Sequence, residues 1–182
     1  MKKMSENRVD PTVAGLFLVG LITLFFGLLG VLLYGKVADA GALLGYINVI
    51  LIPLSLVFLV FTYMAGKVGN AFATALFGFV AIALFSVTIA LGVGSMYAFI
   101  ILGVFFILFA LVAFMIGAPK LLAILLIFTA LIYIFVALFV NAGNNGDDPL
   151  TFALLFGIFG ILAGAVGTYM AIALSTEKLP VF

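Results

Sequence analysis

The feature that most constrains this chain is a series of six apolar blocks with no Asp, Glu, Lys, Arg or His inside any of them. They cover residues 13–34, 43–63, 71–91, 96–117, 121–140 and 150–174. A helix rises ~1.5 Å per residue, so about 20 residues cross a ~30 Å hydrocarbon core. Inside lipid every backbone N–H and C=O must be satisfied within the segment, which makes each block a helix. The expected fold is therefore all-α, a polytopic integral membrane protein built as a bundle of six transmembrane helices.

Composition supports this solvent. Only 7% of the 182 residues are charged, where a soluble domain carries about a quarter. Too little polar surface exists to solvate a globule. The expected organisation is a leader (1–12), a transmembrane channel or transporter domain (13–174) and a tail (175–182). The connections, 35–42, 64–70, 92–95, 118–120 and 141–149, are too short to hold a soluble domain. Lys2 and Lys3 precede an apolar run, but that run is too long for a signal peptide and begins behind Glu6, Arg8 and Asp10. It reads as a retained first span.

Orientation follows from Lys and Arg. Lys2, Lys3, Arg8, Lys67, Lys120 and Lys178 fall on one side of the membrane and only Lys36 on the other. Both termini are thus expected to be cytoplasmic, in a multi-pass protein of the cell membrane. The chain has no Trp, so tyrosine must form the interfacial belt, and Tyr34, Tyr46, Tyr63, Tyr97 and Tyr169 lie near span ends.

The missing residue types exclude whole classes of function. Without Cys or His, disulfides, thiolate nucleophiles, imidazole acid–base chemistry and the commonest zinc and haem ligand sets are absent. Ionisable residues within spans mark proton relays, ion sites and membrane proteases, and the spans have none. No phosphate loop, nucleotide fingerprint or basic nucleic-acid patch is present. No enzyme activity, cofactor, metal or nucleic acid is expected. What remains is a pathway lined by hydroxyls, amides, backbone and aromatic rings.

Candidate polar groups at depth are Thr23, Ser55, Thr62, Thr74, Ser86, Thr88, Thr129 and Tyr133. Ser and Thr commonly bond back to helix carbonyls, so each alone says little. Tyr133 lies deep in the fifth span, with Thr129 four residues earlier on the same face. Either its hydroxyl bonds within the bundle, or the two form a hydroxyl strip facing a solute. Pro53 interrupts the second span between Asn48 and Ser55 and frees the carbonyl of Val49. In the sixth span Gly157, Gly160, Gly164 and Gly167 fall on or near one face, the pattern of close helix packing. At the start of the first span, Asp10 is placed to cap a helix whose first residue is Pro11.

Three stretches carry a resemblance. Asp10-Pro11-Thr12-Val13-Ala14-Gly15-Leu16 is similar to an N-P-A-P-L-G-L motif, with Asp for Asn and Val13 for the second proline. Gly69-Asn70-Ala71-Phe72 resembles a G-N-T-F motif at the entrance to helix three. Gly157, Gly160, Gly164, Ala165, Tyr169 and Ala171 fall at the spacing of a closing helix, followed by Leu179-Pro180. Together they resemble the acetate uptake transporters, also called succinate–acetate permeases. The resemblance implies a ring-shaped homo-oligomer, a hexamer, with a solute path through each protomer. It also implies a hydrophobic constriction from helices one, three and five. That constriction falls at Val19, at Phe79 or Val80, and at Ala130 or Leu131. A family Gln and Glu on helix two correspond to Phe58 and Ala65.

The expected function is a channel or permease for acetate and similar short monocarboxylates. Its pathway would involve Gly15, Val19, Thr23, Asn48, Ser55, Thr74, Ser86, Thr129 and Tyr133. The alternatives are a urea or short-amide channel, which suits an uncharged path, and a non-transporting subunit of a membrane assembly.

Overall fold

The computed structural model describes residues 11–36, 40–176 and 180. Among them are six helices and no strand: α1 (Pro11–Tyr34), α2 (Ala40–Lys67), α3 (Ala71–Val93), α4 (Met96–Met115), α5 (Lys120–Asn145) and α6 (Leu150–Thr176). Each is long and apolar enough to cross a membrane. The all-helical, six-span architecture expected from the sequence is what the chain adopts. Lys2, Lys3, Glu6, Arg8, Asp10, Asp39, Lys178 and Leu179 lie outside the described residues, as do the side chains of Tyr46 and Asn48. The proposed Asp10 cap is among them.

Two helices run four or five residues past the C-terminal ends that hydropathy indicates. α2 continues past Tyr63 to Lys67, which shortens the connection to α3 to three residues. α5 continues through Asn141 to Asn145 and stops where Gly146 turns left-handed at φ 77°. Polarity ends the hydrocarbon core without ending a helix, because polar side chains in the last turns are solvated at the interface. A left-handed residue does end it, by turning the backbone back onto the last carbonyls.

The α2–α3 turn shows how local sequence sets this geometry. Gly69 sits at φ 78°, a conformation open mainly to glycine. This lets the Asn70 amide donate to the Ala65 carbonyl at 3.0 Å. The Asn70 side chain then accepts from the Ala73 amide at 3.0 Å, capping α3. Its amide also donates to the Thr12 hydroxyl at 3.4 Å, linking this turn to the start of α1.

The helices form a closed ring in chain order, α1 to α6, with α6 returning to α1 and neighbours running antiparallel. Contact around it is uneven. The α1–α6 seam is the most intimate, α2–α3, α4–α5 and α5–α6 are well packed, and α1–α2 and α3–α4 touch lightly. Glycine explains the first. Gly20, Gly27 and Gly30 of α1 face Gly167, Gly160 and Gly157 of α6. A Cβ on Gly160 would stand 2.5 Å from the Gly27 backbone, and one on Gly164 2.6 Å from the Leu24 Cβ. Lipid tails provide no hydrophobic drive between helices, so backbone proximity of this kind supplies the dispersion contact that holds them.

The α3–α4 seam is filled instead by rings. Phe79 lies 5.1–5.3 Å, centre to centre, from Phe105, Phe106 and Phe109. Phe58 and Phe77 are fully buried and pack edge-on or tilted with Phe61 between α2 and α3. The outer surface is apolar: Met115 is 84% exposed, Val49 72% and Val93 70%. A water-soluble monomer rarely presents so much contiguous apolar area, and lipid is the solvent that accepts it.

Candidate solute cavity

The ring surrounds a partly open cavity of about 80 Å³ to which every helix contributes. α1 supplies Ile22, Thr23, Phe26, Leu29 and Leu33, a stripe at helical spacing on the face turned from lipid. Ile47 comes from α2, Leu84, Val87 and Leu91 from α3, and Phe99 from α4. α5 gives Thr129, Ile132, Tyr133, Val136 and Phe139, and α6 gives Phe156. On a scale of ~10–15 Å³ per water, the space suits a solute of about five to eight heavy atoms. Among the described residues, no charged side chain lines it.

Among the described residues, three hydroxyls are the polar side-chain groups in this wall. Thr23 Oγ1 donates to the carbonyls of Val19 at 2.9 Å and Gly20 at 3.1 Å. Thr129 Oγ1 donates to the Leu125 carbonyl at 2.8 Å. Both threonine hydrogens are therefore committed to their own helices, and each oxygen keeps lone pairs that can accept. Tyr133 differs. Its ring lies nearly parallel to Phe106, 5.3 Å away at 14°, and Phe106 is held edge-on by Phe79. Its hydroxyl makes no hydrogen bond among the described residues.

Of the residues expected from the sequence, the structure brings Thr23, Thr129 and Tyr133 together here and places the other described ones elsewhere, while the Asn48 side chain lies outside the described residues. Gly15 is a packing position, where a Cβ would collide with the Phe77 ring. Ser55 donates to Ile52 at 2.7 Å and Thr74 to Asn70 at 2.7 Å, both bonds back to the local backbone. Thr62 and Thr88 do the same with Phe58 and Leu84. Ser86 is half-buried on α3 outside the cavity wall.

The expected constriction residues also fall outside the cavity wall. Val19 is half-buried and Val80 lies in the core. Phe79 belongs to the α3–α4 aromatic seam. Ala130 is buried with its carbonyl against Gly103 of α4, and Leu131 is half-buried. The apolar wall of the cavity is made by Ile22, Phe26, Phe99, Ile132 and Phe139 with their neighbours. Gly157, Gly160, Gly164 and Gly167 pack against α1. Phe58 and Ala65, both 0% exposed, are packing positions too.

Hydropathy could not find the apolar lining, because α1 is apolar on every face and its inward stripe has no contrast. The glycine register was a readable signal: Gly20, Gly27 and Gly30 mirror the spacing on α6.

Six apolar helices around an internal cavity are consistent with a membrane transport protein. No protein-family model, curated protein or solved structure matches this chain.

Proposed function

We propose that the chain is a channel or permease for acetate and related short monocarboxylates, related to the acetate uptake transporters its motifs resemble. The observation that carries this reading is the cavity itself: a space for a few heavy atoms, reached by all six helices, apolar apart from three hydroxyls. A short carboxylic acid has that pattern, a small apolar body with one polar end. On this reading the protein is not an enzyme, lies in the cell membrane with both termini cytoplasmic, and assembles as a homo-oligomer, a hexamer, with one path per protomer. The apolar outer faces of the helices support contact with lipid and with other copies.

The test is flux of labelled acetate into liposomes carrying the full-length protein, against protein-free vesicles and against urea and chloride. Acetate flux above background with chloride excluded supports the proposal. Urea flux without acetate flux assigns the cavity to a short-amide channel, and no flux of any of them assigns the chain to a non-transporting role.

A further inference from the structure

Among the described residues, the cavity wall holds one hydroxyl whose hydrogen is uncommitted, and this bears on the form in which a solute crosses. Thr23 and Thr129 donate to their own helices, so toward the cavity they act as acceptors. Tyr133 makes no hydrogen bond among the described residues and lines the same space. Its ring packs nearly parallel to Phe106, which restricts where the hydroxyl can lie. A polar group left without a partner in an apolar wall is unfavourable, and a solute that satisfies it gains the difference.

We propose that Tyr133 Oη is the donor that receives the solute's carbonyl oxygen, and that the species accepted is the uncharged carboxylic acid. This rests on the reading of the cavity as an acetate path. A carboxylate only accepts hydrogen bonds, so threonine oxygens that can only accept would face it with lone pairs against negative charge. A protonated acid has a C=O to accept from Tyr133 and an O–H to donate to a threonine oxygen. Among the described residues no Lys or Arg compensates an anion: Lys67 and Lys120 stand at helix ends, and no described ionisable residue other than Tyr133 lines the cavity. Removing an anion from water without such a partner is strongly unfavourable.

The experiment measures labelled acetate flux by the full-length protein in liposomes at fixed total acetate, with the protein-free rate subtracted, between about pH 5.5 and 7.5. Wild-type flux is expected to fall about a hundredfold across this range, following the protonated fraction. Tyr133→Phe keeps the ring on Phe106 and is expected to lower flux about five- to tenfold at the acid end, with an unchanged melting profile. Wild-type flux that holds or rises with pH overturns the neutral-acid assignment without needing any variant. Wild-type flux that Tyr133→Phe leaves untouched overturns the donor role alone. No wild-type flux at any pH removes the transport reading itself, together with this inference.

Discussion

The two sides of α1 meet their neighbours in opposite ways. Toward α6 it presents Gly20, Gly27 and Gly30 and lets backbone approach backbone. Toward α2 it presents Leu18, Leu21, Ile22, Phe25 and Phe26, and these leave a groove of about 200 Å³ against Ile50, Leu51 and Leu54. One seam is closed by removing side chains, and the other stays open although it is crowded with them. Surrounded by lipid, side-chain bulk does not bring helices together, since the tails solvate Leu and Phe equally well. Close approach comes from small residues in matched register. The stiff part of the ring is therefore α1–α6, and the part with slack is α1–α2.

The largest effect is expected where that rule is broken directly. Gly160→Leu puts a side chain against the Gly27 backbone, which has no rotamer with which to yield. Overpacking of a core usually costs ~1–3 kcal/mol, and a clash with backbone belongs at or beyond the upper end. Loss of folded protein, read as absence of a monodisperse peak in detergent, is the expected result. Gly143→Ala is the control, because a Cβ there meets nothing within 4 Å. It should leave the protein as stable or raise stability by up to ~1 kcal/mol, as glycine within a helix does when replaced by alanine. If Gly160→Leu folds normally, proximity is not what holds this seam.

This contrast also explains what the sequence made legible. Six spans were readable because apolar length is a one-dimensional property, and the glycine run on α6 because small residues stand out against Leu and Phe. Ends were misplaced where polarity was taken as the terminator: Asn141 and Asn145 are helical, and Gly146 ends α5. The site was only partly legible. Thr23, Thr129 and Tyr133 stood out as polar residues among apolar ones, and they do line the cavity. Ser55 and Thr74 stood out for the same reason and are bonded to their own backbone. Which face of a uniformly apolar helix turns inward depends on the packing of all six, and Ile22 and Leu29 carry no local mark of it.

A smaller effect on stability, with a more specific readout, is expected at Phe26. Its ring is shared by the central cavity and the α1–α2 groove. Phe26→Ala opens part of the wall between the two spaces, of which Ile22 keeps the rest. Phe26 is half-buried, so the loss should be about 2–3 kcal/mol, below the usual range for a buried phenylalanine, measured by thermal unfolding in detergent. With the cavity as the path, the ratio of butyrate to acetate flux should rise, since the enlarged space admits a longer chain. An unchanged ratio would separate the groove from the path.

The smallest effect is expected from filling the slack. Ile50 is 41% exposed at the edge of the groove, so the larger ring of Ile50→Phe can turn into the groove or toward lipid without displacing backbone. A methylene forced into a tight core is unfavourable, but one added beside an existing space has no such penalty. The predicted change in stability is less than ~1 kcal/mol in either direction, seen as a melting temperature within a few degrees of wild type. A loss as large as that of Gly160→Leu would mean that α1–α2 is as tightly fitted as α1–α6, and the division of the ring into a stiff seam and a slack one would fall.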